Sequence, residues 1–226
     1  PNNVSQLQSK IGALLYLGLH TRPDIVFNVN KVARSIANPE ASDYAAMERV
    51  LHYLNATRAT AVVLNGETID TINSYSDADW AGDKATRRST SGTITFLGSS
   101  PICWGSKSQK CVSLSTMESE LVAMTSGCQD ALWLKNIIGE LVPQVKPAIK
   151  LHCDNLPALK HSSSLSSDSM ARHISLRYHF IRNLYSNGLV SLNHVSGKSN
   201  PADMFTKSLG TNHLSAALNM IHLRIK

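Results

Sequence analysis

The sequence lacks what several protein classes require. No apolar run reaches the ~18 residues that a membrane-spanning helix needs, so no membrane partner is expected. The four cysteines, Cys103, Cys111, Cys128 and Cys153, contain no C-x-x-C pair, and their spacing fits neither a zinc site nor a disulfide framework. Reduced, mostly buried thiols are the expectation. There is no signal-peptide pattern and no initiator methionine: the chain opens on Pro1, which leads us to expect a piece of a longer protein. Two N-x-[ST] matches, at Asn3 and Asn55, are read as chance. What is present suffices for a core, since 42% of the 226 residues are hydrophobic, and disorder is excluded for most of the chain.

The net charge of +6 permits a polyanionic partner without proving one, and its distribution says more than its sum. Residues 1–70 hold six basic and six acidic side chains, so the whole excess lies in 71–226, where 16 basic residues meet ten acidic. From Ser169 to Pro201 there is no acid at all, but there are Arg172, Arg177, Arg182, Lys198 and three histidines. A solvated helix face accounts for such a run unless a catalytic site lies nearby.

The first 60 residues read as helices. Ile11, Leu14, Leu15 and Leu19 mark one face of a segment from about Ser5 to Leu19; Ile25, Val29, Val32 and Ile36 mark a second, entered through Pro23 and ended by Asn38-Pro39. A third runs from Ser42 to about Asn55 with Met47, Val50, Leu51 and Leu54. This small bundle has no clustered carboxylates, no glycine-rich phosphate loop and no Cys/His set. After Asn65-Gly66 the pattern changes to strands at Ile72–Asp79, Gly92–Leu97 and Ile102–Trp104, then a long helix from Ser115, a strand at Ile149–Cys153, a short helix, a helix from about Met170 to Tyr185, a strand at Leu189–Val195 and a last helical stretch opened by Asp203. Such an order predicts an α/β fold with a mixed sheet and helices packed on it.

Two of the strands carry aspartate, which strands disfavour because a buried anion is costly: Asp77 in the first and Asp154 at the end of the fourth. Glu120 lies early in the long helix and Asp203 follows Pro201. Four hard oxygen donors converging from such elements suit Mg²⁺ or Mn²⁺. Spacing alone leaves open the alternative of turn-forming or solvated acids.

The local strings go further. Ser76-Asp-Ala-Asp-Trp-Ala-Gly-Asp83, Arg87-Arg-Ser-Thr-Ser-Gly92, Val112-Ser-Leu-Ser-Thr-Met-Glu-Ser-Glu-Leu-Val-Ala123, Asp154-Asn155, Arg172-His-Ile-Ser-Leu-Arg-Tyr-His-Phe-Ile-Arg182 and Asn200-Pro-Ala-Asp-Met-Phe-Thr-Lys207 occur in one order. Together they closely resemble the ribonuclease H domain of copia-type (Pseudoviridae) LTR-retrotransposon Pol polyproteins. Ile11-Gly-Ala-Leu-Leu-Tyr-Leu17, Thr21-Arg-Pro-Asp-Ile25 and Val50-Leu-His-Tyr-Leu54 resemble the end of the adjoining reverse transcriptase.

The resemblance implies a ribonuclease H-like mixed five-stranded sheet over 70–226, preceded by a helical, thumb- or connection-like piece of reverse transcriptase over 1–69. It implies hydrolysis of the RNA strand of an RNA–DNA hybrid, with two Mg²⁺ ions (Mn²⁺ as a substitute) held by Asp77, Glu120, Asp154 and Asp203. Partners would be the hybrid and the rest of the polymerase, and the setting cytoplasmic, in virus-like particles of the parent element. Glu120 is preferred to Glu118 because it precedes the Leu-Val-Ala step. Ser115-Thr-Met-Glu118 also reads as a capping box, and side chains two apart on a helix diverge by ~200°. Arg87, Arg88, Arg172, His179, Arg182 and Lys198 are the candidate nucleic-acid contacts. Asp79, Asp83 and Asp168 are expected at the surface or in hairpins, and Trp80, Trp104 and Trp133 in core or subunit contacts.

Two departures bear on activity. The stretch Val195-Ser-Gly-Lys-Ser-Asn-Pro-Ala-Asp203 has no histidine where many superfamily members carry a mobile one, and His194 on the preceding strand is as readily structural. No Tyr-x-Asp-Asp string is present, so no DNA synthesis is expected. The competing class is an inactive, transposon-derived fragment that only binds nucleic acid or supports a polymerase.

Overall fold

The computed structural model describes residues 4–66, 68–164 and 172–225. Three helices open the chain: α1 (Val4–His20), α2 (Val26–Arg34) and α3 (Ala41–Ala56), with a 3-10 turn at Pro23–Ile25 leading into α2. Their shared core is Leu7, Ile11, Leu14, Ile25, Val29, Val32, Met47 and Val50. Leu19, expected on the apolar face of α1, is instead exposed, because Leu7 and Gly18 complete the buried stripe. Gly18 sits close to α2: a Cβ would stand 3.1 Å from the Val26 side chain, tighter than an ordinary contact.

The polar centre of this segment is Arg22 with Asp24, both buried. Arg22 donates from Nε (3.0 Å) and Nη2 (2.7 Å) to the Asp24 carboxylate and from Nη1 to the Thr57 carbonyl, while the Tyr53 hydroxyl donates to Asp24 at 2.7 Å. The fork geometry of guanidinium suits such a bidentate pair. Thus Thr21-Arg-Pro-Asp24 is a strut tying the α1–α2 junction to the end of α3.

A short strand, β1 (Thr60–Val62), follows, which the sequence pattern did not reveal. It pairs antiparallel with β7 (Leu223–Ile225), the last described element, so the segment after the three helices meets the C-terminal residues in a two-stranded ladder. Both strands have three residues, too few for a readable period.

The main sheet contains β2 (Thr71–Asp79), β3 (Thr90–Leu97), β4 (Ser100–Ser108), β5 (Ala148–Cys153) and β6 (Val190–His194) in the order β4-β3-β2-β5-β6. The β2-β3-β4 meander is antiparallel; β5 and β6 join parallel to β2. The C-terminal ends of β2, β5 and β6 therefore share one edge of the fold, where open α/β sheets bind ligands. The mixed five-stranded sheet is as expected, and β4 is longer than the three residues anticipated.

Helix α4 (Thr116–Leu141) crosses one face, burying Leu121, Met124, Cys128, Ala131, Leu134 and Ile138 against Ile72, Ile149, Leu151 and Cys153. Helices α5 (Leu156–Ser163) and α6 (Arg172–Ser186) flank it. The expected α6 start at Met170 lies outside the described residues, as does Asp168. Tyr178 and Ile181 are buried on α6, whereas Tyr185 is exposed. The other sheet face packs Ile94 and Phe96 against the 3-10 turn Pro201–Phe205 and α7 (Thr211–Met220). Asp203 therefore belongs to a five-residue 3-10 turn, not to an α-helix; Pro201 and the Asn200 cap favour a tight turn over a long one. Cysteine use differs in part from expectation: all four thiols are free, but only Cys128 and Cys153 are buried.

Candidate active site

Four separate elements bring the acids together at the C-terminal edge of the sheet. Asp77 is near the end of β2 and Asp154 immediately follows β5. Glu120 is in the first turns of α4, whose start is fixed by Ser115: its Oγ accepts from the Glu118 N–H at 3.2 Å. Glu118 reaches back to accept from Leu114 N–H at 2.6 Å, one residue before the cap, and so is occupied at the helix entry. Glu120 points elsewhere. Its Oε1 accepts from Ala78 N–H at 3.2 Å, and its Oε2 from the Cys153 thiol at 3.6 Å.

Asp203 is delivered by the turn after β6. Asn200, almost wholly buried, donates from Nδ2 to the Ser76 carbonyl at 2.9 Å and accepts from Ala202 N–H, pinning the turn to β2. The approach needs Gly92, the register partner of Asp77: a Cβ there would stand 2.6 Å from the Ala202 carbonyl oxygen and 2.8 Å from Thr206 Cγ2. Close backbone approach is a standard reason for glycine in a strand. Thr206, fully buried, then donates to Asp77 Oδ2 at 2.5 Å, and Lys207 pairs with Asp203 at 2.5 Å.

The electrostatics follow from crowding like charges in a poorly solvated place. Glu120 is pushed up to about 9 by burial and by the Asp77 and Asp154 charges, with the Ala78 N–H opposing. Burial raises Asp77 to about 6, against the Thr206 hydrogen bond and with help from Asp154 and Asp203. Asp154 is also raised, first by burial and then by Asp203, with Lys207 and His194 opposing. Burial alone would lower Lys207, but Asp203, with Asp77 and Asp79 behind it, more than offsets this and leaves it raised. Carboxylates crowded together with little water in this way are a fitting donor set for hard divalent cations, whose charge would offset their repulsion. Glu120, Cys153 and Asp154 each offer a ligand atom within 4.8 Å of the other two.

The remaining sequence candidates are placed as follows. Arg87 and Arg88 are exposed in the turn from β2 to β3, at the same edge as Asp77, with Arg87 at φ 56°. Lys198 is exposed in the 3-10 turn Gly197–Ser199, where a Cβ on Gly197 would stand 3.1 Å from Asp154 Oδ2. His179 is exposed on α6; Arg182 lies over the Tyr178 ring and donates to its hydroxyl at 3.2 Å. The Arg172 side chain lies outside the described residues. His194, register partner of Cys153, is exposed. Trp104 is half-buried and donates to the Gly18 carbonyl, whereas Trp80 and Trp133 are exposed and so, of the expected core or subunit contacts, do not make the core one. Asp79, expected at the surface, is half-buried near Asp203 and Lys207.

Sequence reasoning assigned no role to Asn200, Thr206, Lys207, Cys153 or Gly92. Lys207 had a signal, being four residues after an acid of opposite charge. Thr206 had none, since its partner is far away in sequence.

A meander joined to two parallel strands in this order, with acids at the shared edge, defines a ribonuclease H-like fold. Among solved structures, a foamy viral protease–reverse transcriptase in complex with an RNA/DNA hybrid is similar at TM-score 0.55 and 14% identity, covering 87% of this chain and 25% of that one. No protein-family model matches the chain. It is 33% identical over 213 residues to the retrovirus-related Pol polyprotein from transposon TNT 1-94 of Nicotiana tabacum, covering 94% of this chain. It is 36% identical over 199 residues to that from transposon RE2 of Arabidopsis thaliana, covering 88%. The chain belongs to the copia-type retrotransposon Pol polyprotein family and spans 16% and 14% of the length of these two relatives.

Proposed function

We propose that the chain is the ribonuclease H part of a retrotransposon polymerase, residues 70–226, preceded by a reverse-transcriptase remnant over 1–69. It hydrolyses the RNA strand of an RNA–DNA hybrid. The observation that carries this reading is the convergence of Asp77, Glu120 and Asp154, with Asp203 within their electrostatic reach, at the ligand-binding edge of the sheet.

In this reading Asp77, Glu120, Asp154 and Asp203 hold two Mg²⁺ ions, for which Mn²⁺ can substitute. When bound, such cations activate a water and stabilise the departing oxygen of an in-line displacement. The chain's own groups prepare the site. The Ala78 N–H and the Cys153 thiol fix the Glu120 carboxylate, and Thr206 fixes Asp77 and favours its ionised form. Asn200 and Gly92 let Asp203 approach β2. Lys207 holds the Asp203 carboxylate and adds positive charge where a phosphate would come.

Arg87, Arg88 and Lys198 flank this edge and are assigned to the hybrid backbone, with His179, Arg172 and Arg182 on α6 further along. Contacts of this kind read shape and the 2′-hydroxyl, with little sensitivity to base sequence. The fragment carries no DNA-synthesis activity. A labelled-hybrid cleavage gel tests the reading: the chain should cut the RNA strand with Mg²⁺ and not with chelator. Asp77→Asn and Asp154→Asn should each lower the rate about a thousand-fold or more, several kcal/mol of barrier. Tight hybrid binding without turnover in either metal would overturn it.

A further inference from the structure

We propose that α2 of the N-terminal segment is part of the hybrid-binding surface, with Lys31 and Arg34 holding the phosphate backbone beside the catalytic edge. The substrate is taken from the nuclease reading above; what is added is a working role for helices whose charges cancel in sum. They cancel in number and not in place. Glu48 is taken by Lys10 at 2.8 Å and Asp24 by Arg22 at 2.7 Å, while Asp43 accepts from the Glu40 N–H at the start of α3. Lys31 and Arg34 are exposed in the last turn of α2, a helix without an acid, and neither makes an ion pair among the described residues.

Cations in the last turn also offset a helix dipole, so position decides what else they do. Asn30, one turn before Arg34, donates from Nδ2 to the Ser106 carbonyl at 3.1 Å; Ser106 pairs with Gly92, and Gly92 with Asp77. Arg34 donates from Nη1 to Thr90 Oγ1 at 3.2 Å, and Thr90 is the register partner of Asp79. At its other end α2 is anchored by Val26 in the core that contains Met204 and Phe205. The helix thus runs along the sheet towards the edge that carries the acids. The Nη1 bond is the one hydrogen bond of the Arg34 guanidinium among the described residues, which leaves most of its fork for a phosphate. Lys31 lines a cleft of about 420 Å³ together with Arg49, Asn28 and Ser208, and Ser208 follows the Lys207 that pairs with Asp203. The electrostatics have the same layout: burial raises Asp79, Asp203 adds to this, and Lys207, Arg34 and Lys31 oppose it. A duplex seated at the acids has its phosphates repelled by them, and a flank of cations supplies the attraction that the edge itself lacks.

The test measures binding of a fluorescent RNA–DNA hybrid by the full chain, in chelator, over a range of salt. Lys31→Ala combined with Arg34→Ala should reduce the slope of log affinity against log salt by about two, one for each lost phosphate contact, and weaken low-salt binding roughly tenfold. In cleavage assays the same loss should appear as a raised KM. Lys31→Arg combined with Arg34→Lys, which keeps both charges, should retain the slope. Lys146→Ala removes an exposed cation just before β5, at the opposite end of the sheet, and should leave the slope as it is. Circular dichroism checks the fold; if the double variant is unfolded, Lys31→Ala alone should reduce the slope by about one. An unchanged slope in the folded variants, or an equal loss in Lys146→Ala, overturns the proposal. Hybrid cleavage with an unchanged slope refutes this inference alone. The expected slopes without cleavage in Mg²⁺ or Mn²⁺ refute the nuclease reading alone.

Discussion

Arg22 and Asp24 are buried together under the N-terminal helices; Asp77, Glu120 and Asp154 are buried together at the sheet edge. The first pair satisfies itself. Each Arg22 nitrogen has an acceptor, the carboxylate also takes the Tyr53 hydroxyl, and the Arg22 pKa, which burial would lower, is raised by Asp24. In the second cluster, like charges face one another with Thr206, an N–H and a thiol as neutral donors, and the pKa values of all three carboxyls are raised. The difference is one between a charge buried for architecture and charges buried for a ligand. Evolution of stability alone would not collect three carboxyl groups where water is scarce.

That contrast can be broken most forcefully at Asp24. Asp24→Ala leaves a guanidinium buried without its carboxylate and should cost about 3–5 kcal/mol, read as a shift in the urea midpoint. Asp77→Asn, which removes one of several repelling anions, should leave chelated protein as stable or more so. If both variants were equally destabilised, the two clusters would not differ in kind.

An effect of comparable size is a pH dependence of the metal-free chain. A carboxyl that keeps its proton to about 9 when folded but only to its ordinary 4.5 when unfolded binds that proton more tightly in the folded state. Its stabilisation is complete below about 4.5 and is lost as pH rises towards about 9. The slope is at most about 1.4 kcal/mol per pH unit for one proton. Asp77 adds to the loss between 3.8 and about 6. Denaturant midpoints measured in chelator from pH 5 to 9 should therefore fall, and Glu120→Gln should flatten the curve. A flat curve in the unaltered chain would contradict the raised carboxyl.

The smallest effect sharpens the picture at one hydroxyl. Thr206→Val removes the donor that favours ionised Asp77, so the Asp77 pKa should rise beyond about 6. Hybrid cleavage near neutral pH should fall roughly tenfold, about 1.4 kcal/mol, and the acid limb of the pH–rate profile should move upward. An unchanged profile would show that the hydroxyl has no such role.

Much of this was legible in the chain. The strand containing Asp77, the Ser115 cap, the apolar stripe of α4 and the Asp154 strand end are local patterns of period and capping, and the structure has them within a few residues of expectation. Other features were not legible because their partners are remote. The β1–β7 ladder joins Thr60 to Ile225 through two strands too short to show a period. Trp80 and Trp133 have the apolar character of core residues, yet both remain exposed, and the Trp80 indole N–H donates to the Ser113 carbonyl. Asp203 was recognisable, but its 3-10 setting follows from Asn200 holding Ser76 across the sheet.

Sequence by itself determined the family, the order of the main-sheet strands and the long helix, and which acids were available, because these depend on neighbours along the chain. Tertiary structure alone decided how those acids are held: Thr206 against Asp77, Lys207 against Asp203, Cys153 against Glu120, and Gly92 making room for the turn that carries Asp203. The reason is physical. Hydrogen bonds, desolvation and repulsion act over a few ångströms of space, and only folding makes residues 77, 120, 154 and 203 neighbours on that scale.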